Sequence, residues 1–230
     1  MRPLLSALSA FCLLFLAGFA QAEPIRIVAL GDSNTAGFGV FEPNKYPTQL
    51  QRALTERGHD VEVINAGISG DTTSGALRRL NSASPEGTDI AIVFLGRNDM
   101  RFGVSMETTR RNLDEIVGRL RARNIEVILA GFHSRDFSDI AATHGAFYYP
   151  DFFDGVAANG IKKSDYTLIW DIIGHLNARG YQEIVSRISP FVETQLLKVF
   201  CRRLHEAIMF APECINTDAW AQITGSTVRR

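Results

Sequence analysis

The stretch Ile25-Arg26-Ile27-Val28-Ala29-Leu30-Gly31-Asp32-Ser33-Asn34-Thr35-Ala36-Gly37 decides how this chain reads. Its first half, Ile25 to Leu30, is an apolar run of strand length without the strict alternation of a strand that keeps one wet face. A near-continuous apolar run suits a strand covered on both faces, which belongs to a parallel sheet between two helical layers. The second half is a small, polar turn bracketed by glycines. In an open parallel sheet the ligand crevice lies beyond the carboxyl ends of the strands. Ser33 therefore stands where a nucleophile belongs, and a helix starting there aims backbone N–H groups at any negative charge that develops.

Working outward, three further apolar runs follow: Val61 to Ile64, Ile90 to Leu95 and Val127 to Ala130. Between them the apolar positions take helical spacing, Tyr46, Leu50, Ala53 and Leu54 in one segment and Leu113, Ile116, Val117 and Leu120 in another. Strand alternating with helix predicts an α/β domain. The second run leads into Asn65-Ala66-Gly67-Ile68-Ser69-Gly70-Asp71-Thr72-Thr73, and the third into Gly96-Arg97-Asn98-Asp99. Three polar, glycine-bearing loops thus converge on one sheet edge, where the Gly70 N–H and the Asn98 amide can join the Ser33 N–H as oxyanion donors. After Phe132 the chain reads as aromatic and loop-like, with Phe147, Tyr148, Tyr149, Phe152 and Phe153 close together. A long helix is then predicted, beginning near Asn177 or restarting after Pro190, where Ser189-Pro190 makes a suitable N-cap and N1 pair.

A serine hydroxyl is a poor nucleophile until an imidazole accepts its proton. Of five histidines, His175 is the best placed, following the aromatic region and preceding Leu176-Asn177-Ala178-Arg179-Gly180-Tyr181, with Asp171 four residues before it. His59 and His205 read as surface residues, and His133, after the fourth strand, as a residue lining the crevice. Asp32, Asn34 and Arg97 are the further candidates for contact with substrate. Phe38, Phe41 and the aromatic cluster are candidates for an apolar wall.

Gly31-Asp32-Ser33, Gly70 within Ser-Gly-Asp-Thr, Gly96-x-Asn98-Asp99, and an Asp and His ahead of Leu-Asn-Ala-Arg-Gly-Tyr occur in that order. As a set these blocks resemble the SGNH or GDSL hydrolases, and most of all their exported arylesterase, thioesterase I and lysophospholipase L1 branch. The resemblance implies a flavodoxin-like three-layer α/β/α sandwich on a central parallel sheet. It also implies a carboxylic ester hydrolase with Ser33 as nucleophile, His175 as base, Asp171 as orienting carboxylate, and Ser33, Gly70 and Asn98 as the oxyanion hole. That chemistry calls for no metal and no organic cofactor, and its partner is a small-molecule ester. A carbohydrate O-deacetylase would share the same residues, and a binding protein on the same fold would keep the crevice without turnover. No Gly-x-Ser-x-Gly elbow occurs, against an α/β-hydrolase. Three positions depart from the family pattern: Asn34 replaces the usual Leu, Arg97 replaces a small residue, and Asp171 lies four rather than three residues before His175.

With 46% hydrophobic and 21% charged residues, the 230-residue chain has the composition of an ordinary globular protein. Twenty-four basic residues against 25 acidic ones leave no field for nucleic acid. Residues 1–22, with Arg2, an apolar run and Ala20-Gln21-Ala22, predict a secretory signal peptide rather than a membrane anchor. The expected mature chain is periplasmic or secreted, with a hydrolase domain over residues 23–200 and a C-terminal extension over 201–230. The two cysteines it keeps, Cys201 and Cys214, predict a disulfide in an oxidising compartment.

Overall fold

A computed structural model of the chain describes residues 23–132, 135–156 and 175–208. Five parallel strands form one sheet: β1 (Ile25–Gly31), β2 (Val61–Gly67), β3 (Ile90–Phe94), β4 (Glu126–Ala130) and β5 (Phe147–Tyr149), in the order β2-β1-β3-β4-β5. The helices are α1 (Ser33–Ala36), α2 (Tyr46–Glu56), α3 (Thr73–Arg78), α4 (Leu80–Ala83), α5 (Arg97–Arg101), α6 (Met106–Arg121), α7 (Ser138–Thr143) and α8 (Ala178–Ile208). From β1 the chain steps one way to β2, then reverses past β1 to β3, β4 and β5. Right-handed crossovers therefore place α2 on one face and α3, α6 and α7 on the other. Packing agrees: α8 lies on α2, while α6 meets α3 and α7. This is the flavodoxin-like order, with its switch point between β1 and β3.

Most of the predicted core is observed, but the run Val61 to Ile64 is not covered on both faces, because it lies in the edge strand β2. Ile27 to Leu30 and Ile90 to Phe94 are fully buried, as are Leu50 and Leu54 of α2 and Leu113, Ile116, Val117 and Leu120 of α6. Edge strand β2 is only half-covered beyond Val61.

Register fixes the site. Gly31 pairs with Gly67 on one side and with Phe94 on the other, so β1, β2 and β3 end at the same level. The loops carrying Ser33, Gly70 and Asn98 accordingly leave the sheet side by side. Gly67 is required there by close approach, since a Cβ would meet the Ala36 nitrogen at 2.2 Å.

Two expectations are corrected. The aromatic stretch Phe147–Tyr149 is not loop but the edge strand β5, preceded by the helix α7; aromatic side chains suit a pleated, half-buried surface. Tyr149 and Phe152 belong to the core and Phe147 packs against Phe191, so these three rings are not a substrate wall. The last helix does not restart at Pro190. It runs unbroken from Ala178 to Ile208, and the Ser189 hydroxyl donates back to the Val185 carbonyl rather than capping a new helix. Buried Ile188, Val192, Leu196 and Val199 hold it to the domain on both sides of the proline. Cys201 is buried within the same helix, whereas Cys12, Cys214 and residues 1–22 lie outside the described residues. No helix among the described residues is long and apolar enough to cross a membrane.

Candidate active site

Ser33 opens α1 directly after β1. Asp32, at the N-cap, accepts hydrogen bonds from the Asn34 backbone N–H (2.9 Å) and the Asn34 side-chain amide (3.2 Å), which shapes the turn. Asp32 and Asn34 are each 2% exposed and direct their side chains at one another. Their mutual hydrogen bonds build the turn that carries Ser33.

The Ser33 Oγ lies 2.8 Å from His175 Nε2, across 142 residues of sequence. The pair is buried, which shields it from competing water. His175 arrives from the residues just before α8, and Phe38 packs against its ring at a centroid distance of 4.7 Å. Position there depends on α8 docking. The α8 residue Tyr181 is fully buried, and Gln49 of α2 donates to the Ala178 carbonyl at 3.0 Å.

Opposite the serine, Gly70 has φ +82°, the left-handed conformation that favours glycine. Asn98, in α5, donates from Nδ2 to the Asp71 carbonyl at 2.9 Å, leaving its second amide hydrogen for a ligand. Behind these donors lies a set of bonds that sequence reasoning missed. The fully buried Asp99 carboxylate accepts from the Thr73 backbone N–H (2.9 Å) and from the Thr73 hydroxyl. Asn112 of α6 donates to that same hydroxyl at 2.9 Å. Arg79 donates to Asp71 at 2.8 Å and reaches the Gly31 carbonyl at 3.3 Å. The second and third loops are thereby tied to each other and to the first. The signal available in the sequence was the run of polar residues after the motif residues, Asp71-Thr72-Thr73 after Gly70 and Asp99 after Asn98.

Electrostatically, burial raises the Asp32 carboxyl above the usual carboxylate range, against the lowering effect of its Asn34 hydrogen bonds, Arg97 and His175. Burial also lowers Arg97, opposed by Asp32 and Asp151. Arg97 is half-buried, its guanidinium 4.8 Å from the centre of the Phe153 ring. Phe38, Phe41, Ile68, Met100 and Phe102 are exposed apolar side chains, all on the connections that leave β1, β2 and β3. Among the described residues no group of His, Cys, Asp and Glu side chains is arranged to hold a metal.

The remaining histidines have other work. His59 bonds Glu193 of α8 at 3.1 Å, His144 bonds Asp114 at 2.8 Å, and His205 is exposed on α8. Asp154, a second acidic residue ahead of His175 in the sequence, pairs with Arg187 at 3.2 Å. Asp171 and His133 lie outside the described residues.

Comparison with known proteins gives the chain's family. The model of the GDSL-like lipase/acylhydrolase family matches residues 29–183. The chain belongs to that family. It is 29% identical to esterase TesA of Pseudomonas aeruginosa over 169 residues, covering 67% of this chain and 84% of that protein. An arylesterase of Vibrio mimicus is 35% identical over 130 residues, 56% of this chain and 63% of the relative. Among solved structures, AlinE4, an SGNH-hydrolase family esterase, aligns with a TM-score of 0.59 at 33% identity, over 77% of this chain and 99% of that one.

Proposed function

We propose that this chain is an exported serine esterase that hydrolyses short-chain or aryl carboxylic esters. The observation that carries the proposal is the buried 2.8 Å contact between Ser33 Oγ and His175 Nε2, on the sheet edge where Gly70 and Asn98 converge, in a member of this acylhydrolase family. The esterase names of its relatives support the same chemistry.

In this mechanism Ser33 Oγ attacks the ester carbonyl carbon as its proton passes to His175 Nε2. Negative charge gathers on the former carbonyl oxygen, where the N–H groups of Ser33 and Gly70 and the Asn98 amide receive it. The carbon–oxygen bond to the leaving group breaks, and His175 returns the proton to the departing alcohol. Water then attacks the acyl-Ser33 carbonyl and gives His175 a proton. Collapse releases the carboxylic acid and restores the Ser33 hydroxyl. Asp171 is the proposed carboxylate that orients the imidazole. The apolar rim of Phe38, Ile68, Met100 and Phe102 suits the acyl or aryl part of the ester. Residues 1–22, read as a signal peptide, would deliver the chain to the periplasm or beyond.

Hydrolysis of 4-nitrophenyl acetate by the mature chain tests this, with Ser33→Ala, His175→Ala and Asp171→Ala alongside. Turnover should vanish in the first two variants and fall by up to about 10⁴-fold in the third. Full activity in Asp171→Ala would assign the orientation of His175 to another group. An inactive wild type that still binds esters would mean a binding protein on the hydrolase fold.

A further inference from the structure

We propose that Arg97 is a specificity-determining residue that recognises a carboxylate on the substrate, so that the preferred esters are monoesters of short dicarboxylic acids. This proposal rests on the esterase reading above and names its substrate class. Arg97 opens α5, adjacent to Asn98 and on the same sheet edge as Ser33 and Gly70. A half-buried guanidinium has lost part of its hydration and ordinarily recovers it through a bound oxygen. Among the described residues Arg97 has no hydrogen-bond acceptor and no ion pair, only the Phe153 ring beneath it. By contrast Arg79, the other arginine at these loops with a half-buried side chain, is matched to Asp71 at 2.7 Å and to the Gly31 carbonyl.

The surroundings also select the charge of the ligand. Asp32 and Asp151 lie within electrostatic range of Arg97 yet beyond ion-pairing distance. Arg97 supplies a single positive charge, which one carboxylate neutralises and a doubly charged phosphate exceeds. A single planar carboxylate matches both the charge and the forked geometry of a guanidinium. The Phe153 face holds the guanidinium in place and limits the freedom it would lose on binding. The apolar rim then accommodates the chain or ring that links the ester to that carboxylate.

The decisive experiment compares kcat/KM for 4-nitrophenyl hydrogen succinate and 4-nitrophenyl butyrate, similar in length and differing in charge. The readout is the ratio of the two, in wild type, Arg97→Gln and Arg97→Lys. Wild type should favour the succinate, Arg97→Gln should lower the ratio at least tenfold, and Arg97→Lys should retain part of it. A purely structural arginine would change both substrates together and leave the ratio unmoved, which overturns the proposal. So does a wild type that prefers the butyrate, or one that prefers a phosphate-bearing ester of the same length. Calorimetric binding of monomethyl succinate and methyl butyrate to the Ser33→Ala protein reads the same preference without turnover. If no ester is hydrolysed, the esterase reading fails by itself, and the presence or absence of preferential succinate binding still decides the carboxylate site.

Discussion

The two halves of the candidate site are held by different forces. On one side, Ser33, Gly70 and Asn98 stand on loops that leave three adjacent strands at one level. Short hydrogen bonds among Asp71, Thr73, Arg79, Asn98, Asp99 and Asn112 tie those loops together. On the other side His175 is delivered by the start of α8, which is seated on the domain by buried Tyr181, Ile184, Ile188 and Val192. Directional polar bonds hold the loops of Ser33, Gly70 and Asn98, and apolar packing of a long helix sets His175. A change in the first half should therefore cost local geometry, whereas a change in the second should act through where α8 sits.

The largest effect tests the point at which the halves meet. Ser33→Ala and His175→Ala should each reduce kcat for an aryl ester by on the order of 10⁴ to 10⁶, and the double variant should lose little more, because the pair acts as a unit. Next, Asn98→Ala should cost about 10² to 10³ in kcat with a smaller change in KM, the expected signature of a lost oxyanion donor. Behind it, Asp99→Ala removes the acceptor of the buried Thr73 N–H and of the Thr73 hydroxyl proton, leaving the hydroxyl only its bond from Asn112. It should lower unfolding free energy by about 1–3 kcal/mol in denaturant titrations, with a kcat loss smaller than that of Asn98→Ala.

A subtler effect concerns pH. Burial holds the folded Asp32 carboxyl above the ordinary carboxylate value, so the native chain binds that proton more tightly than the unfolded chain. The resulting stabilisation is full below the unfolded pKa and is lost as pH rises through the raised native value. Asp32→Asn should remove that decline from a stability-against-pH series, and an unchanged slope would contradict it. Smallest of all, Tyr46→Phe should be neutral or slightly stabilising, within about 1 kcal/mol by thermal unfolding. The buried Tyr46 hydroxyl has no hydrogen-bond partner among the described residues.

The same contrast explains what was legible in the sequence. Four strands and both major amphipathic helices were visible because their apolar periodicity is local. The nucleophile loop was visible because Gly31-Asp32-Ser33 follows a buried strand without a gap. β5 was not, since three aromatic residues pairing at a sheet edge look like any aromatic cluster until β4 is beside them. Continuity of α8 through Pro190 depends on tertiary packing, which outweighs the local breaker signal. The bond from Asn98 to the Asp71 carbonyl has no sequence signature, because every residue offers a carbonyl. His175 was picked by its motif, but its distance from Ser33 depends on how the helix docks 142 residues away.

The most direct test of the account is covalent labelling of the mature chain by a fluorophosphonate, with the modified residue located by peptide mass analysis. The account predicts one adduct, on Ser33, formed far more slowly in His175→Ala and absent from Ser33→Ala. An adduct on another residue, or equal labelling with and without His175, would contradict it.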